Sequence, residues 1–341
     1  PWTVAALAAL AAAAAFLPAL RGTPEPRELV RFTVGQPPAG RMFAGGAQLS
    51  PDGAPLACSG RVDDGAFGIL LRALDAHEFR PIPAPGGPLF WAPEGTSLGF
   101  FGDGKLRAVS RRGGEVRSVC DAPSNRGASW GTEFIVFAGA QGPLYKVPVG
   151  GGTPEPVTAL DEGRGETAHR FPHFLPDGET FLYVALPGKG RLLTVFAGHV
   201  DGRAPTAVTT ALTSPVYSEP GYLLYQRGRK IVAQAFDTKT LTVSGEPIAI
   251  EDAPELSEGV GTPGLSASRT GHIVFRTPDD SRTRLAWLDG TTGEELEALD
   301  VEPDEYDSPA LSPDGRHVAL VREASPEEAD IWVLELERLV M

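Results

Sequence analysis

An all-β chain, folded as a single β-propeller of about seven four-stranded blades, is what this sequence predicts, and three observations predict it. Gly and Pro are abundant, at 41 and 32 of 341 residues. With no collagen-like period, so many helix breakers read as punctuation between short strands. A pentad built on Pro-Asp-Gly returns at intervals of roughly 40–50 residues, close to the period of a four-stranded blade. After each copy comes a run rich in Val, Leu, Phe and Tyr, bounded by Pro, Asp and Gly, as a half-buried strand should be. Six and eight blades are the alternatives.

The chain opens with an apolar stretch, Trp2 to Leu20, closed by Arg21. As a helix it would cover roughly 28 Å, enough for a bilayer core, with Trp2 at one interface. A membrane anchor over residues 1–21 is therefore expected, with a removable signal peptide as the competing reading. Against the signal peptide stand the missing Met and basic n-region, a start that looks like the middle of a longer protein. A linker over 22–27 follows, Gly22-Thr23-Pro24-Glu25-Pro26, stiffened by its prolines. The propeller is expected over 28–341.

The repeats run in order. Leu49-Ser50-Pro51-Asp52-Gly53 returns as Trp91-Ala92-Pro93-Glu94-Gly95, Phe174-Leu175-Pro176-Asp177-Gly178 and Leu311-Ser312-Pro313-Asp314-Gly315. Weaker copies are Ser129-Trp130-Gly131-Thr132, Tyr217-Ser218-Glu219-Pro220-Gly221 and Ala267-Ser268-Arg269-Thr270-Gly271. Proline presets φ, Asp accepts local backbone bonds and Gly supplies positive φ, so the element turns an inner strand back into the second one. Strands are expected after it at Ser97–Phe101, Glu133–Phe137, Thr180–Val184, Tyr222–Tyr225, His272–Phe275 and His317–Val321. The last copy leaves room for only three strands. The spare segment Glu28–Val34 would supply the fourth and close the ring, removing an open edge.

The formal charge of −14 excludes nucleic acid as the expected partner, because phosphate binding needs a basic face. The acidic runs Glu251–Glu258, Glu294–Asp307 and Glu323–Glu337 read as solvated loops and blade edges. Cys58 and Cys120 fit neither a zinc spacing nor a disulfide framework and are expected as small core residues.

Candidate chemistry is sparse. Gly127-Ala128-Ser129-Trp130-Gly131 matches the nucleophile elbow, but that motif needs a helix after it, and Thr132–Phe137 reads as strand. His169 and His173 stand four apart, a metal spacing only on a helix, whereas Phe171-Pro172 between them favours extended chain. Asp63-Asp64-Gly65 lacks the ligand spacing of a calcium loop. No catalytic residue, metal or cofactor is predicted, and the chain is expected to bind rather than catalyse. In a four-stranded blade every outer-to-inner connector emerges on the rim that holds one channel mouth. That rule puts Asn125, Arg126, Arg164, Glu166, His169 and Arg170 on one face as the candidate ligand-binding residues. Salt bridges between adjacent blades are their alternative employment.

The Ser-Pro-Asp-Gly repeats resemble those of TolB-like and WD40-like propellers of bacterial envelope proteins. Leu29–Thr33, Asn125–Trp130, Arg164–Pro172 and Phe174–Tyr183 are similar to propellers joined by one membrane helix to a cytoplasmic serine/threonine kinase. The resemblance covers nearly the whole chain. It implies a single-pass membrane protein with an extracytoplasmic (periplasmic) sensor propeller, whose partners are proteins, peptides or cell-envelope ligands. The kinase would precede Pro1, since no Gly-rich ATP loop, His-Arg-Asp or Asp-Phe-Gly occurs here. The alternatives are a stand-alone periplasmic TolB-like protein and a propeller domain of a hydrolase or peptidase.

Overall fold

The computed structural model describes residues 31, 47–62, 67–188, 192–253, 264–275, 285–289, 295–302, 306–325 and 328–340. The chain divides into two units, residues 1–36 and 37–341. Of the first, only Arg31 is described, and it is exposed. The expected anchor, the linker and, apart from Arg31, the strand Glu28–Val34 lie outside the described residues, as does Asp63-Asp64-Gly65. Among the described residues no helix is long and apolar enough to cross a membrane.

The second unit is all-β. Its first sheet holds β1 (Gln48–Leu49), β2 (Pro55–Arg61), β3 (Phe67–Ala73) and β4 (Arg80–Pro85). The second holds β5 (Leu89–Trp91), β6 (Ser97–Gly102), β7 (Lys105–Ser110) and β8 (Arg117–Asp121). The third holds β9 (Ala128–Trp130), β10 (Phe134–Ala138), β11 (Leu144–Pro148) and β12 (Glu155–Pro156). The fourth holds β13 (Glu166–Phe174), β14 (Thr180–Pro187), β15 (Leu193–His199) and β16 (Thr206–Ala211). The fifth holds β17 (Val216–Ser218), β18 (Tyr222–Arg227), β19 (Lys230–Asp237) and β20 (Thr242–Asp252). All five are antiparallel in sequence order. Beyond them β21 (Leu265–Ala267) pairs β22 (Ile273–Phe275), and β23 (Ala286–Leu288) pairs β24 (Glu295–Ala298). A three-stranded sheet follows, β25 (Tyr306–Leu311), β26 (His317–Ser325) and β27 (Glu328–Glu335).

The repeated pentads make the turns between first and second strands. Gly53 N–H donates to Ser50 O at 2.9 Å, Gly178 to Leu175 O at 3.0 Å and Gly315 to Ser312 O at 2.9 Å. Each of these glycines has φ near +70, a region that penalises any residue with a Cβ. Asp177 Oδ1 accepts from the backbone of Glu179 and Thr180, and Asp314 Oδ1 from Arg316. The Asp carboxylate thus caps the start of the second strand.

The core lies between sheets, as face-to-face packing demands. Ala57, Ile69, Leu71 and Ile82 of the first sheet meet Trp91, Leu98 and Phe100 of the second. Phe101, Leu106 and Val119 meet Ile135, Phe137 and Val147. Val136 and Leu144 meet Phe181 and Tyr183, and Leu182, Val184 and Val195 meet Leu223, Tyr225 and Val232. Phe100 and Phe181 are fully buried, and each such side chain contributes about 2–3 kcal/mol of burial free energy. Cys58 and Cys120 are buried free thiols, and burial pushes their pKa values up to about 12 and 11.

The first strands stand side by side: β1 next to β5, β5 next to β9, β9 next to β13, and β17 next to β21. β21 also lies against β1, where Leu49 N–H donates to Ser266 Oγ at 3.0 Å. At the same junction Arg269 N–H donates to Pro51 O at 3.0 Å, and the Arg269 guanidinium reaches Pro93 O. Sheets stacked face to face, each presenting its first strand inward, are the architecture of a β-propeller.

Candidate functional site

The first strands enclose a channel of about 600 Å³. Its walls come mostly from the segments that hold β1, β5, β9, β13, β17 and β21, with Ser59 of β2 and Phe101 of β6. Among the described residues, none of β25–β27 lines it. At the connector end lie Gly87, Pro88, Asn125, Arg126, Phe171, Ser214 and Pro215, and at the turn end Pro51, Pro93, Thr132, Pro176, Glu219 and Arg269. Between them the wall carries Leu49, Phe90, Trp91, Ser129, Trp130 and His173. Trp91 Nε1 donates to Gln48 O at 3.0 Å, which fixes its ring.

A bulge in β13 shapes this wall. Arg170 opposes Val184 and His173 opposes Leu182, so three residue steps on β13 match two on β14. The extra residue forces Phe171 to φ +52, unusual for an aromatic. It also separates the paired histidines. His169 faces Ala185 and His173 faces Leu182, three apart on β14 and therefore on opposite faces. His173 turns into the channel, where burial lowers its pKa to about 4. His169 turns into the protein and is 1% exposed. Among the described residues no group of three His, Cys, Asp or Glu side chains is placed to hold a metal ion.

His169 is held at both ring nitrogens. Nε2 lies 3.1 Å from Glu166 Oε2, and Nδ1 lies 2.8 Å from Thr158 Oγ1. Glu166 also accepts from Asp161 N–H at 2.7 Å and from Arg164 Nε at 2.9 Å. Burial would raise the Glu166 pKa, but these donors outweigh it and the net direction is down. The carboxylate is therefore charged, which assigns the imidazole proton to Nε2 and leaves Nδ1 to accept from Thr158. Burial, opposed by Glu166, lowers the His169 pKa. The network ties the segment after β12 to β13.

The six rim residues expected to bind ligand thus part company. Asn125 and Arg126 line the channel. Arg170 reaches back to Ala140 O at 3.1 Å. Glu166 and His169 are bonded to each other, with side chains only 5% and 1% exposed. Arg164 pairs with Asp161 and Glu166 and stacks over Phe196 at 5.0 Å. Ser129 lies in β9, followed by a turn and β10 rather than a helix. Its Oγ accepts from Phe174 N–H at 3.0 Å. Sequence reasoning missed Trp91, Trp130, His173, Glu219 and Arg269 as channel residues. The signal for most was their place within the pentads, at the channel end of each first strand.

No family model matches the chain, and no curated protein does. Solved structures similar to it include a TolB from Agrobacterium tumefaciens, 20% identical over 57% of this chain and 73% of that one, with a TM-score of 0.44. Another is the oligogalacturonate lyase of Vibrio parahaemolyticus, 13% identical over 86% of this chain and 89% of that one, TM-score 0.44. A third is a puromycin-hydrolysing peptidase of Mycobacterium tuberculosis, 15% identical over 87% of this chain and 52% of that one, TM-score 0.45. These are likenesses of fold at low identity. They correct the expectation that the chain is not an enzyme: proteins of similar fold include a lyase and a peptidase, so the fold supplies no ground for excluding catalysis.

Proposed function

We propose that the chain is a ligand-binding propeller of the bacterial cell envelope, and that the ligand is a protein or peptide segment received in the channel. The carrying observation is the channel itself: about 600 Å³, walled by first strands, with Trp91, Trp130 and Phe171 interrupted by a few polar groups. Binding sites have this volume and this mixture. A ring of six blades is supported by β21 neighbouring β1 and by the sheet β25–β27 lending the channel no residue among those described. The apolar stretch Trp2–Leu20 supports tethering to a membrane, with the propeller on the extracytoplasmic side. Similarity to kinase-linked propellers extends the proposal to a sensor whose occupancy is read by a kinase domain on the same polypeptide. A coding region without a kinase upstream of Pro1 would remove that extension and leave a stand-alone envelope protein.

The test is peptide selection on the whole 341-residue chain in detergent, counter-screened against Ser129→Trp and Thr132→Trp, which fill the waist and the turn mouth. Peptides that the native chain retains should be lost at least tenfold on a filled channel whose melting temperature is unchanged. Equal retention on native and filled chains would sink the channel as the binding site.

A further inference from the structure

We infer that Arg126 and Arg170, with Asn125, form a receptor for a carboxylate at the connector mouth of the channel. The inference rests on the binding channel proposed above and names the chemistry of what enters it.

Arg170 is oddly provided for. Its Nη2 donates to Ala140 O at 3.1 Å, but its Nε is buried with no hydrogen-bond partner. Arg126, by contrast, is exposed at the channel mouth. Among the described residues neither guanidinium is paired with a carboxylate. Arg107, Arg111, Arg164 and Arg203 each are, whereas Arg72, Arg80 and Arg117 bond backbone carbonyls, and Arg170 differs from these in its unbonded buried Nε. The chain holds 44 acidic residues against 30 Lys and Arg, so acidic partners are plentiful. Two neighbouring cations with no carboxylate partner among the described residues make a local positive site suited to an added anion. Burial first and the charge of Arg126 second lower the Arg170 pKa.

The backbone holds this pair in place. Phe171 N–H donates to Arg126 O at 3.0 Å, and Arg126 N–H to Ala138 O at 3.3 Å. Gly127, at φ +96, lies so close to Phe171 that a Cβ would stand 2.8 Å from its Cα. Phe171, strained at φ +52, follows Arg170 in the chain and itself lines the channel. Strain of this kind marks sites whose geometry is kept for use. The half-buried Asn125 lines the same mouth and adds amide donors. A planar guanidinium offers parallel N–H bonds that match a planar carboxylate. The carboxylate has two sources, a peptide's C-terminus or an acidic side chain.

Arginine footprinting of the whole chain with phenylglyoxal, read by mass spectrometry, tests this. Succinate should slow modification of Arg126 about fivefold or more relative to sodium chloride of equal ionic strength, while exposed Arg316 is unaffected. Arg170→Lys keeps the charge but loses the fork, and should reduce that protection about tenfold in succinate concentration. A tripeptide protecting only as the free acid identifies the C-terminal source. An amidated peptide with an internal Asp that also protects identifies the side-chain source. Equal slowing of Arg126 and Arg316, or protection by inorganic phosphate but not by succinate, overturns the carboxylate assignment. If peptides then still depend on an open channel, the channel reading survives its loss. If succinate protects Arg126 while no peptide distinguishes native from Ser129→Trp, the carboxylate site stands and the channel reading falls.

Discussion

His169 and His173 share a strand and differ in everything else. His169 is locked between a carboxylate and a hydroxyl, whereas His173 faces the channel with no hydrogen-bond partner among the described residues. Burial holds the His173 pKa at about 4, against 6.5 ordinarily. The unfolded chain takes up this proton near pH 6.5 and the folded chain only near pH 4. The stability at stake is therefore fully present above pH 6.5 and drains away as pH falls towards 4. The whole difference would be about 3 kcal/mol, and the partial exposure of the ring reduces it to about 1–2 kcal/mol. His173→Gln should accordingly lose less stability than the native chain between pH 7 and pH 4.5, measured by urea unfolding at both. Parallel losses would mean that the ring is protonated freely in the folded state.

At the scale of elements, the segment Arg126–Gly127 pressed against the β13 bulge is the tightest local fit near the site. Gly127→Ala meets both an unfavourable φ of +96 and the Phe171 backbone. Gly104→Ala, in the β6–β7 hairpin, meets only a φ of +70 and open space. The second change should cost about 1 kcal/mol and the first about 2–3 kcal/mol, adding backbone overlap to the same φ penalty. Melting temperatures of the two variants check this, and equal shifts would refute the close fit. Much of this scale was legible in the sequence. The pentads gave the turns because Pro, Asp and Gly act locally, and Thr180–Val184 and Tyr222–Tyr225 gave strands because their apolar content is dense. The bulge was not legible. Nothing in Arg170-Phe171-Pro172-His173 says which residue will be left unpaired, since that depends on the register of β14. The fate of Glu166 and His169 was hidden for the same reason: Thr158, their fixed point, lies in another sheet's outgoing segment. The channel residues were in plain view within the repeats, but their inward direction is set by the ring.

Across the whole molecule, cohesion is uneven. The first five sheets are cemented by clusters of fully buried side chains. Around β23–β27 the buried cluster, among the described residues, comprises Val318, Leu320 and Leu334. On the same sheet Ile331 is 78% exposed and Val333 is 52% exposed. Local opening follows the loss of buried apolar contact. Amide hydrogen exchange should therefore be fastest by an order of magnitude or more in β25–β27, and slowest in β6, β10, β14 and β18. Uniform protection would contradict the gradient.

The junction of β1 with β21 has a consequence for how the protein is made. Leu49 finds Ser266, 217 positions further along the chain, and a ribosome adding about 5–20 residues per second takes roughly 10–45 seconds to supply it. Through that interval the first sheet waits with one flank uncovered while its later neighbours emerge and stack. The hydrogen bonds at this seam are side-chain and turn contacts rather than a shared strand ladder, so β1 and β21 are fastened by a clasp that arrives late and grips lightly.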